Sequence, residues 1–152
     1  MFGDGEYDYF KLVEEALKDI IKRKKAQPDI YFAVNISSNS NIFNPFQRIR
    51  FMKMRDLIEE LNKNDVPVFV AAGNDGNLSN YDIYPASFRA PITVSSIDED
   101  GLLSRFSTFM NEVDFTDVGE FIKTVSNGGG EAYVSGTSFS APIVLSKAAL
   151  LA

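Results

Sequence analysis

The sequence predicts an α/β fold, a mainly parallel sheet flanked by helices, and three observations carry that reading. The runs Ile30 to Ser37 and Val66 to Ala72 are short, mainly apolar and rich in β-branched residues, as strands buried on both faces are. Between and before them lie two stretches whose apolar residues recur at helical spacing. The resulting strand-helix-strand order implies parallel pairing through a right-handed crossover.

The elements follow in order. Gly3 and Gly5 make a flexible start. From Asp8, the apolar residues Phe10, Val13, Leu17, Ile20 and Ile21 form one face of a helix. Lys11, Glu14, Glu15, Lys18 and Asp19 fill the other, and the helix ends near Lys25, before Pro28. After the strand at Ile30 to Ser37 comes a polar loop, Ser37-Ser38-Asn39-Ser40-Asn41. Asn44 and Pro45 read as N-cap and first residue of a second helix. Phe46, Ile49, Met54, Leu57, Ile58 and Leu61 carry it to about Asn64.

Beyond Ala72 and the turn Gly73-Asn74-Asp75-Gly76, a loop runs to Pro91, and Ile92 to Ile97 is a third strand. Asp98-Glu99-Asp100-Gly101 is an acidic turn. Phe106 and Phe109 are expected in the core. Val113 to Phe115 and Phe121 to Val125 read as short strands around Gly119, and Asn127-Gly128-Gly129-Gly130 as a hairpin turn. Ala132 to Val134 is a last strand. A buried helix rich in Ala, Leu, Ile and Val then runs from Ser138 to Ala152, with Pro142 in its first turn, where a missing N–H costs little.

Composition sets bounds. A chain of 152 residues is a single domain by length and long enough for a real core. The net charge of −6 and the lack of any long basic run give no sign of nucleic acid. The cluster Lys22-Arg23-Lys24-Lys25 is the solvated basic end of a helix. No apolar run reaches membrane-spanning length and no signal peptide opens the chain, which favours a cytoplasmic setting without fixing one. With 0 cysteines, no disulfide forms.

The stretch Gly136-Thr137-Ser138-Phe139-Ser140-Ala141-Pro142 places a serine on a small-residue turn between a strand and a helix. Its hydroxyl is exposed there, and its N–H lies among the unpaired donors of the first turn. That suits a nucleophile whose attack creates an oxyanion. Thr137 or Ser138 acting only as an N-cap is the plainer alternative for either residue alone. The full pattern arises by chance on the order of once in a thousand chains of this length.

This stretch resembles the nucleophile motif of the subtilisin-like serine peptidases. Val68-Phe69-Val70-Ala71-Ala72-Gly73-Asn74-Asp75-Gly76 resembles the family's oxyanion-hole strand and turn. Tyr84-Pro85-Ala86-Ser87 and Ile92-Thr93-Val94-Ser95-Ser96-Ile97 also match, in the right order. The resemblance runs from about Tyr9 to the C-terminus. It implies a three-layer architecture, Ser138 as nucleophile and the Asn74 side-chain amide as oxyanion donor, with the Ser138 N–H as second donor. Read without the resemblance, Asn74 is a turn residue tolerating unusual φ.

Asn35-Ile36-Ser37-Ser38-Asn39 resembles the segment that pairs with an extended substrate, so Ser37, Ser38, Asn39 and Gly73 are the candidate substrate-binding residues. The family usually has Leu-Gly where Ser38-Asn39 stands, a change that narrows the specificity pocket. Asp117-Val118-Gly119 replaces a common Ala-Pro-Gly, a structural departure. No cofactor is required. Structural calcium is frequent in the family, but Asp98, Glu99 and Asp100 lack the spacing of a calcium loop, and no metal ligands are assigned.

The chain contains 0 histidines. A Ser-His-Asp triad needs an imidazole to take the serine proton and return it to the leaving group. In the family the Asp and His precede the serine and lie in the N-terminal half of the domain. The resemblance therefore implies a partial domain over residues 1–152, the C-terminal half. Its partners are then a peptide or protein substrate and the missing N-terminal half, with neither nucleic acid nor membrane, and either self-association or marginal stability of the isolated chain is expected. An inactive peptide-binding module on the same scaffold is the alternative.

Overall fold

The computed structural model describes residues 4–41, 45–76 and 83–151, with side chains over 11–40, 49, 51–76 and 83–151. In chain order the elements are α1 (Asp4–Ala26), β1 (Val34–Ile36), β2 (Ser40–Asn41), α2 (Pro45–Lys63), β3 (Val68–Ala71) and β4 (Ile83–Tyr84). There follow β5 (Ile92–Ile97), β6 (Val113–Val118), β7 (Ile122–Val125), β8 (Glu131–Val134) and α3 (Thr137–Ala149). The expected cap Asn44 and the side chains of Phe10 and Phe46 lie outside the described residues.

The central sheet is parallel, in the order β1-β3-β5-β6. Successive residues of β3 serve opposite faces, as the two-residue period of a strand requires. Val68 and Val70 join Leu17, Ile21, Met54, Ile58 and Leu61 beneath α1 and α2. Phe69 and Ala71 join Val94 and Ala141 beneath α3. Helix, sheet and helix thus form three layers of an α/β fold.

Among the described residues, two antiparallel pairs stand outside this sheet: β2 with β4, and β7 with β8. The first is not expected from the sequence, since Ser40 and Asn41 read as loop. They pair with Tyr84 and Ile83, which brings the chain after β1 against the chain after β3. The second is the expected hairpin, closed by Ser126 N–H to Gly130 O at 3.0 Å.

Several expectations need correction. The first strand spans only Val34–Ile36, and Asn35 is exposed because β1 lies at the sheet's edge. Ile49 and Phe109 are 62% and 60% exposed and lie outside the core, whereas Phe51 is buried within it. Helix α3 begins at Thr137 with Gly136 as its N-cap, a residue with no side chain to make the capping bond. Pro142 is therefore inside the helix, not in its first turn. The helix is buried only on the face carrying Thr137, Ser140 and Ala141, and Leu150 and Leu151 beyond it are exposed.

Candidate active site

Ligands of parallel sheets collect beyond the carboxyl ends of the strands. Here Ser37-Ser38-Asn39 follows β1, and Gly73-Asn74-Asp75-Gly76 follows β3. The first turn of α3 meets both.

The contact between the β3 turn and α3 is built on Thr137, which is fully buried. Asn74 Oδ1 accepts from the Thr137 N–H at 2.9 Å and from the Thr137 hydroxyl at 3.0 Å. The same hydroxyl accepts from the Gly73 N–H at 3.2 Å. With Oδ1 so engaged, Asn74 Nδ2 faces Gly136 and makes no hydrogen bond to the described residues. The Ser138 N–H, second in the helix, likewise has no acceptor among them. Two free donors therefore flank the start of α3, where the helix dipole adds positive potential. Donors so placed favour a negative charge nearby.

Ser138 is half-buried. Its hydroxyl donates to the Ser37 carbonyl at 3.3 Å, and the Ser37 hydroxyl donates to the Ser138 carbonyl at 2.9 Å. Asn35 Nδ2 donates to Ser37 Oγ at 2.9 Å. The candidate nucleophile thus rests against β1's carboxyl end, next to the proposed substrate edge.

Gly73 has φ +113°, a conformation L side chains rarely adopt. A Cβ there would also meet Thr108 Oγ1 at 3.0 Å, Asn39 Nδ2 at 3.2 Å and Ile83 Cδ1 at 3.2 Å. Asn39 thus lies against the β3 turn, joining two of the segments predicted to bind substrate. Ser38 is half-buried between Ser37 and Asn39.

Sequence reasoning misses three supports. Thr108 accepts from the Asp75 N–H at 3.2 Å and donates its own N–H to the Gly73 carbonyl at 2.9 Å. Nothing in its local sequence marks it. Thr137 stands inside the motif, where the sequence suggests only a cap. Gly119 accepts from the Gly136 N–H at 2.8 Å, and a Cβ on it would collide with Ser140 Oγ, Ser96 Oγ and the Gly136 carbonyl. Among the described residues, no group of His, Cys, Asp and Glu side chains is arranged to hold a metal ion.

A parallel sheet thus lies between helices, with Ser138 in the first turn of α3 and the Asn74 amide held against Gly136 and Thr137. The chain belongs to the subtilase family, whose profile matches residues 8–152. It is 40% identical over 91 residues to "Thermophilic serine proteinase" of Bacillus sp. (strain AK1), covering 60% of this chain and 22% of that protein. It superposes on the crystal structure of a cold adapted subtilisin-like serine proteinase with TM-score 0.63 and 28% identity, over 78% of this chain and 40% of that one. On a lanthipeptide protease the TM-score is 0.74 at 21% identity, over 89% of this chain and 49% of that one, which shows the shared fold. The chain spans under a quarter of the first relative and less than half of each of these structures.

Proposed function

We propose that this chain carries the nucleophile and the oxyanion site of a serine endopeptidase, with the histidine and aspartate supplied from outside it. Ser138 Oγ attacks the carbonyl carbon of a peptide bond as its proton passes to the external imidazole. The carbonyl oxygen becomes an oxyanion held by Asn74 Nδ2 and the Ser138 N–H. Collapse breaks the C–N bond, the imidazole returns the proton to the departing amine, and an acyl-enzyme remains on Ser138. Water then repeats the sequence and releases the acid.

The observation that carries this reading is the fixing of Asn74 by Thr137, which engages the amide's acceptor with the scaffold and leaves its donors free. Peptides or proteins are the substrates, paired in extended form along Ser37, Ser38 and Asn39. Asn39 lying against Gly73 narrows the pocket for the residue on the acyl side. No cofactor takes part.

The alternative, a peptide-binding module without catalysis, is favoured by the 0 histidines alone. The deciding experiment joins this chain to a histidine-bearing partner segment and measures peptide cleavage. Cleavage is expected, and Ser138→Ala should remove nearly all of it. Undiminished turnover by Ser138→Ala, free of contaminating protease, overturns the assignment.

A further inference from the structure

The Ser138 carbonyl has an unusual place in its helix. In an α-helix each carbonyl accepts from the N–H four residues on. For Ser138 that residue is Pro142, which has no N–H and whose ring crowds the carbonyl four residues before it. The group beside the nucleophile is thus denied its helical donor by the sequence itself. The donor it has instead is the Ser37 hydroxyl at 2.9 Å, from a residue 101 positions earlier. That hydroxyl is oriented in turn by Asn35 Nδ2 at 2.9 Å, so its own proton is directed at Ser138.

We propose that Ser37 is a positioning residue for Ser138, its hydroxyl standing in for the N–H that Pro142 lacks. The inference rests on the peptidase reading for its catalytic consequence, but not for the hydrogen bond itself. Ser37 then has two separate duties. Its backbone lies on the substrate edge, while its side chain fixes the first turn of α3 and with it the Ser138 N–H and Oγ. Because Pro142 cannot supply a competing bond, the turn depends on a contact made across the site, so the nucleophile's placement is tied to that of β1.

The test uses Ser37→Ala, Ser37→Thr, Pro142→Ala and the double variant Ser37→Ala/Pro142→Ala. The first readout is amide hydrogen exchange at Phe139, Ser140 and Ala141 in the full chain. The second is kcat and KM in the hydrolytically competent assembly. Loss of one hydrogen bond corresponds to roughly a threefold to tenfold change in an equilibrium. Ser37→Ala should speed exchange at these amides by about that factor and lower kcat similarly, with KM within about twofold. Ser37→Thr keeps the hydroxyl and should restore both. Pro142→Ala, placed on Ser37→Ala, supplies the missing N–H and should also restore both. Exchange unchanged by Ser37→Ala, or failure of both rescues, overturns the proposal. If no assembly cleaves peptide, the peptidase reading fails by itself, and the exchange arm still decides whether Ser37 holds the turn.

Discussion

Asn74 and Thr137 are joined twice: the Asn74 side-chain oxygen accepts both the backbone N–H and the hydroxyl of Thr137, at 2.9 and 3.0 Å. One amide group therefore serves two ends. Its oxygen anchors the β3 turn to α3, and its nitrogen lies against Gly136 with no hydrogen bond to the described residues. The two roles can be separated by substitution. Asn74→Asp keeps an acceptor for Thr137 but loses the donor, whereas Asn74→Ala loses both. In the competent assembly each should lower kcat by roughly a hundredfold or more with little change in KM, the magnitude established on subtilisin's own oxyanion-hole asparagine. Thermal unfolding should tell them apart, with Asn74→Ala the less stable by about 1 kcal/mol. Equal stability would show that the oxygen anchors nothing.

Thr137 is the buried half of the same contact. Its hydroxyl donates to Asn74 and accepts from the Gly73 N–H. Thr137→Val keeps the shape and removes both bonds, leaving the Gly73 N–H buried without its acceptor. A loss of about 1–3 kcal/mol is expected, measured by denaturant midpoint at unchanged slope. Thr137→Ser should retain most of the stability. A valine variant as stable as the parent would remove Thr137 from the site's support.

The resting state of Ser138 bears on its reactivity. Its hydroxyl donates to the Ser37 carbonyl, and a backbone carbonyl is not a base that can take the proton during attack. With 0 histidines in the chain, the isolated protein should neither hydrolyse peptides nor react readily with a fluorophosphonate probe. Intact-mass measurement after incubation tests this. Stoichiometric labelling at Ser138 would reveal an activating base within these 152 residues.

The parts of the fold legible in the sequence are those whose physics is local. The apolar continuity of Val68–Ala71 and the helical spacing of Met54, Ile58 and Leu61 reflect burial on two faces and on one, and the structure has both. The two site motifs are legible because they place small and polar residues at strand ends, where packing alone would not ask for them. Contacts made across the chain are not legible. The β2–β4 pair joins Asn41 to Ile83, and neither segment alternates enough to announce a strand. Thr108 supports the Asn74 turn from a stretch without pattern. Pro142 lies deeper in α3 than its spacing from Ser138 suggests, because the helix starts at Thr137 with Gly136 as its cap.

Gly119 shows how a distant strand end limits the nucleophile turn. Its carbonyl accepts the Gly136 N–H, and its missing side chain makes room for Ser140, Ser96 and the Gly136 carbonyl. One of these neighbours is backbone, which cannot rotate away. Gly119→Ala should therefore destabilise the fold by about 1–3 kcal/mol or more through overpacking, read as a lower Tm. It should also depress kcat by displacing the turn that carries Ser138. A variant with parental Tm and turnover would mean the turn accommodates a methyl group freely.

Association is the last expectation, and it follows from surfaces the structure exposes. Among the described residues, strand β1 stands at one edge of the central sheet and pairs with β3 alone. Edge strands offer unpaired N–H and C=O groups to other chains. On the opposite side, Phe115 lies on edge strand β6, and Phe121, Val125 and Tyr133 on or beside the β7–β8 hairpin, all more than half exposed. Leu150 and Leu151 are 87% and 90% exposed after α3. Exposed apolar side chains that meet in a patch mark association sites. The net charge of −6 opposes close approach between copies, and salt screens that repulsion. The purified chain should therefore self-associate with concentration, and more strongly at high ionic strength. Sedimentation velocity over a concentration series at low and high salt tests both claims. Phe121→Ser and Leu151→Ser should weaken association if the apolar surfaces drive it, whereas a proline placed in β1 should weaken it if the open edge does. A monomer independent of concentration and salt, with a sharp cooperative melt, would show that these exposed surfaces are tolerated without a partner.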